Sequence, residues 1–167
     1  TPVVYQAPST STVVSNPMQG SSTDVDLLYI TDRGPETEPE SNLPYGQGRA
    51  KSIAFGSVRV KIGPGVSWEM LNLESRRAER TRDLTLSLGR VEELGRFPDE
   101  PYGLELRADG ALYRDKGDME EHERAARLFR EELQRRLAGS PNKEVTFYVH
   151  GFNETFATAA YTAADVC

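Results

Sequence analysis

The sequence predicts an α/β fold: antiparallel strands first, then a helix, a buried strand and a second helix. Three observations predict it. Apolar residues alternate with polar ones at Val58, Val60 and Ile62 and again at Leu84, Leu86 and Leu88, the period of a strand with one solvated face. Apolar residues recur at helical spacing through 118–138. Val145-Thr146-Phe147-Tyr148-Val149 has no alternation, as in a strand buried on both faces of a parallel sheet.

Residues 1–24 carry one charged residue, Asp24, among many Ser, Thr and Pro. Such a segment buries too little apolar surface to offset its ordering entropy, so it is expected to be a disordered or linker arm before a domain over 25–167. Val25–Thr31 is β-branched and aromatic and reads as a strand, ended by Asp32-Arg33-Gly34-Pro35. Residues 34–49 hold three prolines and three glycines and are expected to form a loop. Gly63-Pro64-Gly65 ends the next strand.

In the helix, His122, Ala126, Phe129, Leu133 and Leu137 share one face. Glu131 precedes Arg135, and Glu132 precedes Arg136, in the favourable order for i,i+4 pairing. Asp118 with Glu121 is the expected N-terminal capping pair, Gly139 the left-handed C-terminal cap, and Pro141 the stop. An Ala/Thr-rich helix is expected from about Glu154.

Composition excludes several functions. Twenty Lys and Arg against 26 Asp and Glu give a net charge of −6, unsuited to non-specific nucleic-acid binding. Leu, Ile, Val and Phe make up about 22% of the residues, just above the range where disorder is expected. The apolar runs are far too short to span a bilayer as a helix. One cysteine, Cys167, allows no internal disulfide, and with two histidines it offers no transition-metal ligand set. His122-Glu123 has no second histidine four residues on, so no zincin motif exists. Gly46-Gln47-Gly48 lacks the third glycine of a dinucleotide fingerprint. No cofactor is expected. A targeting segment, if there is one, would precede Thr1, and the expected location is the cytoplasm or the cell envelope.

The candidate chemistry lies at His150-Gly151-Phe152-Asn153, between the buried strand and the last helix. Chemistry in open α/β sheets collects beyond the carboxyl ends of strands. A helix N-terminus there offers free N–H groups and a favourable dipole, which suit an oxyanion formed in acyl transfer. His150 read alone is a histidine satisfied by backbone hydrogen bonds, and His122 is a packed one. Arg33 and Arg49 either bind an anionic substrate or tie loops down, and the second is expected. The sequon Asn153-Glu154-Thr155 falls at a poor acceptor site for glycosylation.

Val145–Asn153, with Phe156 and Ala157 behind it, resembles the α/β-hydrolase superfamily, and more narrowly a bacterial family of uncharacterised esterase/lipase-like proteins. Tyr29-Ile30-Thr31-Asp32-Arg33, Leu43-Pro44-Tyr45-Gly46 with Arg49, Phe55-Gly56 before Val58-Arg59-Val60, and Thr1–Tyr5 are similar to that family in the same order. The resemblance implies an incomplete α/β-hydrolase sheet: N-terminal antiparallel strands followed by helix, buried parallel strand and helix. It implies a serine hydrolase acting on a small-molecule ester or related acyl bond. Phe152 would give its backbone N–H to the oxyanion hole, Gly151 would allow close approach, His150 would pack the loop, and Asn153 would orient the loop or cap the helix.

The superfamily's nucleophile sits in a Gly-x-Ser-x-Gly elbow, followed by an acid and a histidine. No Gly-x-Ser-x-Gly occurs in the 167 residues. Nucleophile, acid and base are therefore expected beyond Cys167, and 1–167 alone is expected neither to turn over esters nor to fold stably, since Val145–Val149 would expose apolar strand edges. The second expectation is a non-catalytic interaction or envelope-associated module, because fold alone does not establish catalysis.

Overall fold

The computed structural model describes residues 23–38, 40–63, 65–67, 69–70, 73, 85–99 and 103–166. Most of the expected N-terminal arm, Pro64, Leu84 and Cys167 lie outside them. Strands β1 (Asp24–Pro35), β2 (Tyr45–Ile62) and β3 (Leu86–Arg96) form an antiparallel sheet in the order β1-β2-β3. A short hairpin, β4 (Leu104–Leu106) with β5 (Leu112–Arg114), precedes helix α1 (Lys116–Gly139), and helix α2 (Phe156–Val166) follows. An antiparallel sheet followed by helices is thus what the described residues form.

The first two strands are longer than expected. Asp32–Pro35 does not end β1, because Arg33 still pairs with Arg49 and Pro35 with Tyr45 across register shifts. The loop at 34–49 contracts to the residues between β1 and β2. Pro35 is tolerated because it stands at the end of β1, and β1 is an edge strand among the described residues. The register shifts absorb the irregularity of Gly34.

Alternation along the strands divides the core in two. Val25, Leu27 and Tyr29 on β1 stand opposite Val60, Val58 and Gly56 on β2, and this side carries α2 through Phe156, Ala160 and Ala164. On the other side Phe55 meets Phe129 of α1 edge to face, with ring centroids 5.3 Å apart, and Phe97 at 5.8 Å. The face expected to be solvated is therefore partly covered by α1, while Ile30 and Ile53 on it remain exposed.

Helix α1 presents the expected face, with Ala125 its most buried residue. Its ends differ from expectation. Asp115 is the N-cap, its carboxylate accepting the Asp118 N–H at 3.0 Å, so Asp118 lies inside the first turn. At the other end Gly139 is helical and Ser140, in an extended conformation, is the cap. Pro141 explains this, since a residue before proline is driven out of the helical region into the extended one.

Arg136 fastens α1 to the sheet. Its guanidinium donates to the Asp26 carboxylate and carbonyl, each at 3.1 Å, to Ser57 Oγ at 2.9 Å and to Glu132 Oε1 at 2.7 Å. Arg135 donates to Glu132 at 2.6 and 2.7 Å. Hydrogen bonds from Arg135, then Arg136, hold the Glu132 carboxyl at about 2 against the opposing effect of burial. A carboxyl lowered by folding contributes stability above its unfolded value of 4.5, and that contribution is lost as pH falls toward about 2. Glu132→Gln is expected to be less stable than the wild type at about pH 6, with the gap closing by about pH 2.5 in urea titrations.

Candidate functional site

Val145–Val149 is not a buried strand. It joins no ladder among the described residues, and its side chains are exposed, Phe147 by 81% and Val149 by 87%. A strand with two apolar faces needs cover on both faces and partners along its edges. The described sheet is antiparallel, and no described strand lies beside this segment.

The loop beyond it is formed by His150, Gly151, Phe152 and Asn153, all exposed. His150 does not pack the loop from within; its Nδ1 lies 2.8 Å from the Gly151 carbonyl oxygen. Phe152 is fully exposed. Asn153 has φ 62°, a left-handed conformation that asparagine adopts more readily than most residues. Nothing stands within 4 Å of a Cβ built on Gly151, so the approach there is open. Asn153 turns the loop; it does not cap the helix. Thr155 does, its hydroxyl accepting the Thr158 N–H at 3.1 Å while Thr158 Oγ1 accepts the Thr155 N–H at 2.8 Å. This is a capping box with threonine in both places, and it sets the helix start at Phe156 rather than Glu154.

Two attachments hold the helix end to the sheet. Arg33 donates to the Glu154 carbonyl, to the Gly46 carbonyl at 3.2 Å and to Gln47 Oε1 at 3.1 Å. Arg49 pairs with the Asp32 carboxylate. Arg33 therefore ties a loop down, as expected, whereas Arg49 and Asp32 join β2 to β1, strand to strand. Phe156 forms the second attachment, packing against Tyr29 and Tyr45 with centroids 5.1 and 5.0 Å away.

Those tyrosines head a polar chain that sequence reading missed. The two hydroxyls are 2.9 Å apart, and Tyr45 donates to Glu93 Oε2 at 2.6 Å. Arg96 grips Glu93 with two donors at 2.9 and 2.7 Å and reaches the buried Ser52 at 3.0 Å. Burial, then the hydrogen bond to Glu93, pushes the Tyr45 phenol far above its ordinary value, and burial likewise raises Tyr29. Burial also acts to raise the Glu93 carboxyl, but Arg96 and Tyr45 outweigh it and leave it lowered. The two phenols and the Glu93 carboxylate make a clamp under α2. The residues lie 48 and 51 positions apart in the chain for Tyr45 with Glu93 and Arg96, so local spacing carried no signal.

A shallow groove beside α1 is lined by Asp26, Ser57, Arg59, Arg90, Glu92 and Glu132 among others, and Ser57 is bonded there to Asp26 and Arg136 with no histidine near. His122 packs against Phe97, the rings tilted by 52° with centroids 5.1 Å apart. Among the described residues no cluster of His, Cys, Asp and Glu could hold a metal ion, and no helix is long and apolar enough to cross a membrane.

No curated protein and no solved structure matches the chain. Residues 125–167, which include most of α1, the 145–153 passage and α2, match the model of a family described as alpha/beta hydrolase of unknown function (DUF900). That match supports a relationship between this chain and the α/β-hydrolase superfamily.

Proposed function

We propose that these residues form part of a serine hydrolase acting on ester or related acyl bonds, and that Phe152 supplies one oxyanion-hole donor through its backbone N–H. The observation that carries this reading is the placement of Phe152 on an open loop that leads into the capped N-terminus of α2. Among the described residues, nothing accepts a hydrogen bond from the Phe152 N–H. The family match over the same residues adds to it.

In this mechanism a serine outside the 167 residues attacks the carbonyl carbon of the acyl substrate, its hydroxyl proton passing to the general base. The C=O π pair moves onto oxygen, and the oxyanion is held by the Phe152 N–H and a second N–H beside the serine. Collapse of the intermediate breaks the ester C–O bond and expels the alkoxide, which takes that proton back from the base, now the general acid; water then releases the acyl group from the serine by the same two steps. The left-handed turn at Asn153 and the open space over Gly151 are what this chain contributes to seating the oxyanion.

The test is turnover of a p-nitrophenyl ester by the full-length protein, together with covalent labelling by a fluorophosphonate. Turnover and labelling of one serine are expected. The exposed apolar row of Val145, Phe147, Val149 and Phe152 favours a second reading, a non-catalytic interaction module. Absence of both turnover and labelling would select that reading and overturn the first.

A further inference from the structure

We propose that Arg33 is a positioning residue for the hydrolytic reaction, orienting the Phe152 N–H by holding the Glu154 carbonyl; this rests on the oxyanion reading of Phe152. Arg33 stands between two register shifts in β1, at Thr31/Arg33 and Arg33/Pro35. Bulges of this kind re-aim a side chain that a regular strand would direct elsewhere. Here the side chain reaches Glu154, 121 residues on, together with Gly46 and Gln47 at the start of β2.

The choice of acceptors is informative. Neighbouring Asp32 pairs with Arg49, and among the described residues Arg33 makes no ion pair. Its charge is spent on two backbone carbonyls and an amide oxygen. A charged donor makes stronger hydrogen bonds than a neutral one, and a planar fork reaches several acceptors at fixed angles.

Only one residue, Asn153 in its left-handed conformation, lies between Phe152 and Glu154. With Glu154 held by Arg33 and Phe156 held by Tyr29 and Tyr45, few torsions remain to turn the Phe152 N–H. Upstream the backbone has no comparable tie, since the side chains of 141–153 are exposed throughout. Arg33 is therefore the polar link from the sheet to the oxyanion loop. In this role it acts through the Glu154 carbonyl.

The experiment compares wild type, Arg33→Met, Arg33→Lys and Phe152→Pro in the full-length protein, by hydrogen exchange and by p-nitrophenyl ester kinetics. Arg33→Met is expected to speed amide exchange in a peptide covering 155–160, where the Thr155, Thr158 and Ala159 N–H groups are bonded, while peptides from β3 and α1 keep wild-type protection. Its kcat is expected to fall about 10- to 100-fold with KM unchanged, as for a misplaced catalytic group. Arg33→Lys should recover part of both, since it keeps the charge and loses the fork. Unchanged exchange in 155–160 overturns the inference whatever the activity. A kcat lost in Phe152→Pro but intact in Arg33→Met overturns the role of Arg33 alone, whereas a kcat intact in both overturns the oxyanion reading itself.

Discussion

Phe152→Pro in the full-length protein is expected to lower kcat for ester hydrolysis by about 10²- to 10³-fold, the effect of deleting one oxyanion-hole donor. Proline removes the N–H and nothing else that could polarise a carbonyl. The corresponding loss of transition-state stabilisation is about 3 kcal/mol. KM should change little, because the donor acts on charge that develops only in the transition state. Phe152→Ala is the necessary comparison. The Phe152 ring is fully exposed and makes no ring contact with a described residue, so truncating it keeps the donor and should leave kcat within a few-fold of wild type. A Phe152→Pro protein with wild-type kcat would remove Phe152 from the mechanism. Equal losses in both variants would assign the effect to the ring, as a substrate contact, and not to the backbone.

The sequence made the parts governed by local periodicity legible. The face of α1 from His122 to Leu137 follows from its spacing, as do the alternating segments of β2 and β3. Three kinds of feature escaped it. Short strands carry too few residues for a period, so the β4–β5 hairpin went unread, although Asp109-Gly110 with Gly110 at φ 78° was a visible turn signal. Edge position rescued β1 from Pro35, and edge position is a tertiary fact. Val145–Val149 reads as a strand on composition, yet a strand exists only through its ladder, and no described strand offers one here. Of the site, the loop His150–Asn153 was legible from its place before a helix. Its supports were not, because Arg33 lies 121 residues from Glu154, and the Tyr29–Tyr45–Glu93–Arg96 chain joins three strands.

Phe55→Ala should destabilise the fold by about 3–5 kcal/mol, the range for truncating a buried aromatic ring. Phe55 is wholly buried and joins the sheet to α1 through Phe129, with Phe97 alongside. Beyond the lost transfer free energy, each aromatic pair adds about 0.5–1.5 kcal/mol. A merely well-buried side chain would give a similar number, so the contact needs its own test. Phe129→Ala in the Phe55→Ala background should cost less than in wild type, because the shared contact is already gone. Strict additivity would mean that α1 is not seated on Phe55. Gly95 supplies an independent check from the opposite direction. A Cβ at Gly95 would lie 2.5 Å from the Phe55 Cζ, so Gly95→Ala must push the ring aside and destabilise the wild type. In the Phe55→Ala protein that obstruction is absent, and the new methyl group partly fills the cavity. Gly95→Ala should then be neutral or stabilising in urea titration, a reversal of sign that only a ring lying over Gly95 produces.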